Sequence, residues 1–388
     1  MPTLSIVHLL SNRWWTGTAE PVLALVKGLL ERRQHIVLGV PAGSQVEDLA
    51  RKAGIPLLEG LQLDRRFRPR SWLQDLRRLS AFLRHTPVNV LHTHLSHDHW
   101  LGLCALALLR GREPRTVVHV RTVHTLRRPH VLTSRWLLRH GADHLITVSM
   151  ALRHELMAKL QIAAPRVTVV SGAVDHRRFH PSASGAHLRQ EFGLGPQTPL
   201  VGIVARIAAS RGHLMLLDAF ARVHATLPEA RLLIVGKGEF RPQVEQRVQQ
   251  LGLADSVIFA GYREDDLPEV LAALHLFVLM APGSEGSCRA VLEAMAVGKP
   301  VVAARVGALA DIVLDGETGL LIDPHSPAEL ALAISRLLRA PEQARQMGLR
   351  GRQCIECSFA RERQLEDVLS LYAQLCAAQL PASAILDH

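Results

Sequence analysis

Cysteine is scarce in this 388-residue chain. The five residues Cys104, Cys288, Cys354, Cys357 and Cys376 form an odd set too sparse for a disulfide framework, which points to a reducing compartment. Cys354 and Cys357 make a lone CxxC, and with no second pair to complete a zinc site they read as two cysteines in a helical region. Long apolar runs are missing too. The longest, Trp100 to Leu109 and Val270 to Gly283 with His275 inside it, fall short of the ~20 residues a membrane-spanning helix needs, so no span is predicted. Residues 4–10 (LSIVHLL) lack the charged leader and small-residue cleavage site of a secretory signal and read as a first strand, so the cytoplasm is the expected location. Lysine supplies only five of the 45 basic residues, a bias that a GC-rich genome suffices to explain.

What is present is a globular composition, 48% hydrophobic and 21% charged, in a chain longer than one core usually serves. The net charge of +10 is uneven: residues 1–190 hold 27 Lys/Arg against 12 Asp/Glu, and residues 191–388 hold 18 against 23. A basic first half favours an anionic partner such as a lipid surface, an acidic sugar or nucleic acid. No recognised nucleic-acid-binding module accompanies that charge, so nucleic acid is not the expected partner.

Short β-rich runs alternate with helical patterns in both halves, which predicts parallel sheets wrapped by helices. In the first half the strands read Ser5–Leu10, His35–Val40, Val88–His92, Thr116–Val120, His144–Val148 and Val167–Val170. In the second they read Leu200–Ala205, Arg231–Val235, Val257–Ala260, Leu276–Met280, Pro300–Ala304 and Gly319–Ile322. A Pro/Gly/Ser-rich seam lies between Asp175 and Pro199, and a last helical pattern over about 360–380 has no strand after it. The expectation is an α/β chain of two Rossmann-like domains facing each other across a cleft, 1–180 and 181–360, with 361–388 packing back on the first.

The segment Leu276 to Gly298 reads as a buried strand, a Pro/Gly turn, and a helix that begins near Ser287 with Ser287 as N-cap. A helix starting at a strand's carboxyl end aims free N–H groups at an anion, so this turn can hold a phosphate. Glu293 is the only charge in Ala290–Val297, and a buried carboxylate demands a hydroxyl or cationic partner, which a ligand can supply. Glu285 stands before the helix, so two carboxylates bracket the anion site.

Glu285 and Glu293 with seven residues between them, followed by EAMAVGKPVVA, VGALADIV and DGETGLLIDP, resemble the signature of retaining family 4 glycosyltransferases of the GT-B fold. The likeness extends over VLHTH (90–94), ADHLITVS (142–149), VDHRRF (174–179), VARIAASRGH (204–213) and IVGKGE (234–239). It implies that Arg206 and Arg211 neutralise the donor diphosphate, with Arg211 standing where the family carries lysine. It implies that Glu285 contacts hydroxyls of the donor sugar, Glu293 the ribose, and the backbone of Gly286, Ser287, Cys288 and Arg289 the sugar and phosphate. Arg289 departs from the family pattern, and either meets an acidic group of the ligand or pairs with a local carboxylate. Gly236, Gly238, Tyr262 and Arg263 match positions lining the base pocket, and His124 matches a histidine that hydrogen-bonds the donor sugar.

In the loop after the first strand (WWTGTAE, 14–20) only Gly17 remains of the family's glycine-rich turn. Trp14 and Trp15 either stack on a sugar or serve the core or a hinge. The string His92-Thr-His94-Leu-Ser-His97-Asp98-His99 looks like a metal site. The resemblance implies instead that cations and helix N-termini stabilise the leaving group, so no metal and no cofactor is expected. His94 is placed towards the acceptor, and the other histidines cap or solvate the loop. In Leu61–His85, Trp72, Leu76, Leu79 and Leu83 share one helix face. The seven arginines around them are either solvated or dock on anionic lipid.

The expected function is thus retaining sugar transfer from a nucleotide-diphosphate sugar to a glycan or glycolipid acceptor. Bacterial cell-surface polysaccharide or lipopolysaccharide synthesis fits the family's range, at the inner face of the cytoplasmic membrane. The alternatives are a GT-B sugar-nucleotide epimerase and a non-catalytic reader of an anionic polymer.

Overall fold

The computed structural model describes residues 3–379 apart from 16, 65–67, 110–116, 127–130 and 282–287. The chain divides into two compact units, Met1–Ser171 with Gln364–His388, and Gly172–Arg363.

In the first unit six parallel strands, β1 (Ser5–Leu9), β2 (His35–Gly39), β3 (Val90–Thr93), β4 (Val118–Val123), β5 (His144–Thr147) and β6 (Val167–Val169), lie in the order β2-β1-β3-β4-β5-β6. In the second, β7 (Leu200–Val204), β8 (Arg231–Val235), β9 (Val257–Gly261), β10 (Leu276–Leu279), β11 (Val301–Ala304) and β12 (Gly319–Ile322) lie in the order β12-β11-β10-β7-β8-β9. All twelve runs read from the sequence are strands, because a parallel sheet covered on both faces is built from continuous apolar stretches. One boundary moves. The strand expected at Thr116–Val120 is β4, reaching Val123, since Arg121 and Thr122 are buried within it although they are polar.

The helices of the first unit are α1 (Ala19–Glu31), α2 (Gln45–Lys52), α3 (Pro69–His85), α4 (Ser96–Leu109), α5 (Leu132–His140) and α6 (Met150–Leu160). Those of the second are α7 (Ala186–Glu191), α8 (His213–Thr226), α9 (Arg241–Gln250), α10 (Leu267–Ala273), α11 (Arg289–Ala296), α12 (Leu309–Ile312), α13 (Pro327–Arg339) and α14 (Pro341–Ser358). The last helix, α15 (Arg361–Ala378), buries Leu365, Val368, Leu369 and Tyr372 in the first unit's core beside α1 and β1. It sits so close that a Cβ on Gly28 of α1 would lie 2.6 Å from Leu365.

The face of α3 chosen by its apolar spacing is the one that packs inward. Leu76, Leu79 and Leu83 are buried and Trp72 half-buried, while Arg70, Arg77, Arg78 and Arg84 stay exposed. Asp75 is the buried exception, accepting the backbone N–H groups of Gln62 and Leu63 at 2.8 Å each.

Candidate active site

In the second unit the loops leaving β7 and β8 are locked together by backbone. Ile207 donates to the carbonyl of Lys237 (3.1 Å), and Phe240 donates back to that of Ile207 (3.1 Å). This approach requires glycine. A Cβ on Gly236, whose φ is 143°, would lie 2.0 Å from the Ala205 carbonyl oxygen, and one on Gly238 would lie 2.1 Å from that of Ile207. The interlock sets Arg206 at the strand end, where its guanidinium donates to Glu239 at 2.8 Å with both side chains about two-thirds exposed.

Arg211 closes a short 3-10 turn, and Gly212 in the left-handed conformation (φ 76°) starts α8 directly behind it. His213, the first residue of α8, is buried with both ring nitrogens unpaired, and burial, then Arg211, lowers its pKa to about 4. No local pattern singles out His213. Lys237, inside the IVGKGE string, lies 4.8 Å above the ring of Tyr262. Tyr262 is half exposed and donates to Glu264 at 2.9 Å; partial burial, then that carboxylate, pushes its phenol up to about 12. Arg263 is engaged elsewhere, with Asp266 (2.7 Å), the Ala260 carbonyl (3.2 Å) and Glu191 of α7.

Glu293 is buried on α11, as its apolar surroundings suggested, and its partner is Arg289 one turn earlier, Nε to Oε1 at 3.1 Å. Arg289 is thus within reach of a local carboxylate, the second of its two readings, which leaves the first, towards a ligand, open. The helix expected to begin near Ser287 starts at Arg289, and its N-cap is Cys288 rather than the expected Ser287, buried in the left-handed region at φ 52°. Glu285, Gly286 and Ser287 lie outside the described residues.

In the first unit the site residues stand at the carboxyl ends of β1, β3 and β4, the edge at which open parallel sheets bind ligands. His124 follows β4, with its ring 6.0 Å from that of His94. Gly17 is half-buried in the turn before α1. Trp14 is 69% exposed, whereas Trp15 packs on the core and donates its backbone N–H to Gln45 at 3.0 Å.

The histidine string folds differently from expectation. α4 begins at Ser96, so His97 and His99 are helical rather than loop residues, His92 and His99 are buried rather than solvated, and His94, expected towards the acceptor, is buried as well. The cause is Asp98. Its carboxylate accepts the backbone N–H groups of Leu95 (2.7 Å), His94 (3.1 Å) and Ser11 (3.4 Å), tying the loops after β1 and β3 to the start of α4. Burial raises its pKa to about 6.

His8, unremarked in LSIVHLL, joins His92 and His94, each bringing a ring nitrogen within 4.8 Å of the others. One ring N–H passes between His8 Nδ1 and His94 Nε2 (3.1 Å), while His8 Nε2 and His94 Nδ1 are buried without a partner. Burial keeps all three neutral, His8 with a pKa of about 3. His92 is already engaged at both nitrogens: Tyr372, kept protonated by burial, donates to Nδ1, and the Nε2–H donates to Thr122 at 2.7 Å. The trio contains no carboxylate to offset a dication, and buried Arg121 is close enough to act on His92 and His94 as a positive charge. Its chemistry is that of a neutral hydrogen-bonded cluster.

Two parallel-sheet units, with glycine turns and arginines gathered at the strand ends of the second, have the make-up of a GT-B glycosyltransferase. The "Glycosyl transferases group 1" model matches residues 186–354, and the "Glycosyltransferase Family 4" model matches residues 15–178. A 2-deoxystreptamine glucosyltransferase of Streptomyces kanamyceticus is 32% identical over 66% of this chain and 70% of its own length. A GDP-mannose-dependent alpha-(1-6)-phosphatidylinositol monomannoside mannosyltransferase of Mycolicibacterium smegmatis is 31% identical over 65% and 70%. Among solved structures, Anabaena Alr3699/HepE in complex with UDP and glucose superposes with a TM-score of 0.80 at 21% identity, covering 95% of this chain and 99% of that one. The chain belongs to family 4 of the glycosyltransferases, and is an enzyme that transfers sugar from a nucleotide-activated donor.

Proposed function

We propose that this enzyme transfers a hexosyl or related sugar, with retention of configuration, from a nucleoside-diphosphate sugar to a glycan or glycolipid of the bacterial cell surface, as in lipopolysaccharide synthesis. The observation that carries the donor half is the interlocked glycine loop pair that presents Arg206 at the end of β7, in the same loop as Arg211. An exposed ion pair is weak, so Arg206 exchanges Glu239 for a diphosphate oxygen at little cost, and a guanidinium grips phosphate through two N–H groups. Glu293 receives the ribose hydroxyls, Glu285 those of the sugar, and the backbone of Gly286 to Arg289 the phosphate end. Gly236, Gly238, Tyr262 and Arg263 border the base, and Gly17 lets the backbone approach the ligand.

In the transfer, the bond between the anomeric carbon and the diphosphate oxygen breaks, and the acceptor oxygen bonds to the same face and passes its proton to the departing diphosphate. Arg206 and Arg211 hold the charge that develops on the leaving diphosphate, which is the main catalytic contribution. His124 orients the donor sugar, while Trp14, Trp15 and His94 serve the acceptor. With the leaving charge met by fixed cations, the reaction needs no metal and persists in excess EDTA. Loss of turnover restored by one divalent ion would overturn that point. A lipid-linked acceptor places the enzyme at the inner face of the cytoplasmic membrane.

Two measurements test the reading. Thermal-shift screening of nucleotide sugars identifies the donor, since a bound ligand raises the melting temperature by mass action. The anomeric configuration of the product, read by NMR, then decides retention. An inverted product, or a modified nucleotide sugar released without any acceptor, sinks it.

A further inference from the structure

The second helix layer of the first unit carries a surface that sugar transfer does not use. α4 meets the sheet with Leu101, Gly102 and Ala105, together with Asp98 and His99. Its remaining side carries Trp100, Leu103, Ala107 and Leu108, at spacings of three, seven and eight from the first, which is one continuous helical stripe. Nothing in the core requires that stripe to be apolar, yet Leu108 is 51% exposed. On neighbouring α5, Leu132 (78% exposed) and Trp136 (49% exposed) lie one turn apart, and Trp136 stacks on Trp100 with ring centres 5.8 Å apart and planes 10° from parallel.

On the other side α4 packs along α3. The exposed charges of α3 are Arg70, Arg77, Arg78 and Arg84, and its one carboxylate, Asp75, is buried. An apolar strip with a stacked tryptophan pair thus lies on a helix packed against one whose exposed charges are all positive.

We propose that the α3–α4–α5 face docks on an anionic lipid bilayer, with Trp136, Leu132 and Leu108 entering the headgroup layer and the α3 arginines resting on its phosphates. Tryptophan is favoured at that depth because its ring is apolar and its N–H stays wet, and arginine beside it gains from the negative surface potential. A second copy of the chain fits less well, because a self-paired face brings the α3 arginines of two molecules towards one another. The inference deepens the glycolipid-acceptor reading, takes up the docking alternative that the sequence left open for the α3 arginines, and puts the insertion point in the apolar strip beside them.

Flotation of the full chain with vesicles of phosphatidylcholine alone, or mixed with phosphatidylglycerol, at low and high salt tests the proposal. Capture by the mixed vesicles, weakened by salt, is expected. Leu132→Glu with Trp136→Glu should cut capture at least about tenfold, and Leu108→Gln, which leaves the tryptophan stack whole, should weaken it a few-fold. Unchanged thermal melting and unchanged hydrolysis of the donor identify these as surface effects. Absence of capture, or equal capture by the Glu variant, overturns the proposal. So does a wild-type dimer that Trp136→Glu dissociates, which assigns the face to a second copy. If donor hydrolysis is absent while capture stands, it is the transferase reading that fails.

Discussion

The two units build the same six-stranded parallel frame and treat the carboxyl edge of the sheet in opposite ways. The second keeps its edge wet, with Arg206 exposed and the geometry held by backbone contacts that only Gly236 and Gly238 permit. The first keeps its edge dry: His8, His92, His94, Asp98 and Arg121 are all buried. An edge that receives a dianionic diphosphate needs cations that are already solvated and close at hand. Neutral imidazoles suit hydroxyl groups, and they tie the stability of their unit to pH.

The largest effect expected on this contrast is from Gly236→Ala. A Cβ there meets a backbone carbonyl and the residue keeps a φ of 143°, so the second unit should lose about 2–4 kcal/mol and nucleoside-diphosphate binding with it. Denaturant unfolding with isothermal titration reads both, and a stable variant that binds normally would show that the loop interlock is dispensable.

Acid should separate the units next. A histidine with a lowered pKa contributes stability that is complete above the unfolded value of 6.5 and declines as pH falls below it, because only the unfolded chain takes up the proton. His8 alone, at about 3 when folded, should cost about 3 kcal/mol by pH 4.5. His92, His94, His99 and His144 add to this in the first unit, whereas the second has His213 and His275, both at about 4. Asp98 acts with the opposite sign, since its raised pKa lets the folded state bind a proton as pH falls towards 4, and it offsets part of the loss. All five tryptophans, at 14, 15, 72, 100 and 136, are in the first unit, so their fluorescence follows that unit alone. It should report unfolding at a higher pH than far-ultraviolet circular dichroism of the whole chain, and coincident transitions would erase the contrast.

Smaller effects fall on ligand affinity. Glu293→Gln should weaken donor binding about tenfold, because it replaces a charged acceptor by a neutral one at a buried position. Arg206→Ala should cost a similar factor in nucleoside-diphosphate affinity, and Arg211→Lys only a few-fold, since it keeps the charge and loses the fork. The reverse ranking by titration would move the phosphate site from the end of β7 to the turn before α8.

Most of the frame was legible because buried parallel strands announce themselves as apolar runs, and the family because the Glu285–Glu293 spacing and the glycine strings are local in sequence. The first unit's edge was not. The dry cluster joins residues 8, 92 and 94 with Tyr372 from the last helix, and no local pattern carries a contact of that range. Arg121 and Thr122 broke the apolar run that marked β4, since polarity in sequence looks the same whether a residue is solvated or buried. In α4 the apolar residues run all round the helix, so the pattern names no face, and the outward stripe emerges only once the inward one is known.

The return of α15 to the first unit has a consequence for how the protein is made. The chain that starts the first unit leaves the ribosome long before the helix that completes its core, with residues 172–363 between them. At about 5–20 residues per second that interval is on the order of 10–40 seconds. Throughout it, the groove beside Gly28 that later holds Leu365 stands open, and at its end the second unit has its whole sequence before the last helix has emerged. The second unit is therefore the first able to finish folding. The early half of the nascent chain spends that time as an unfinished surface on which chaperones can act.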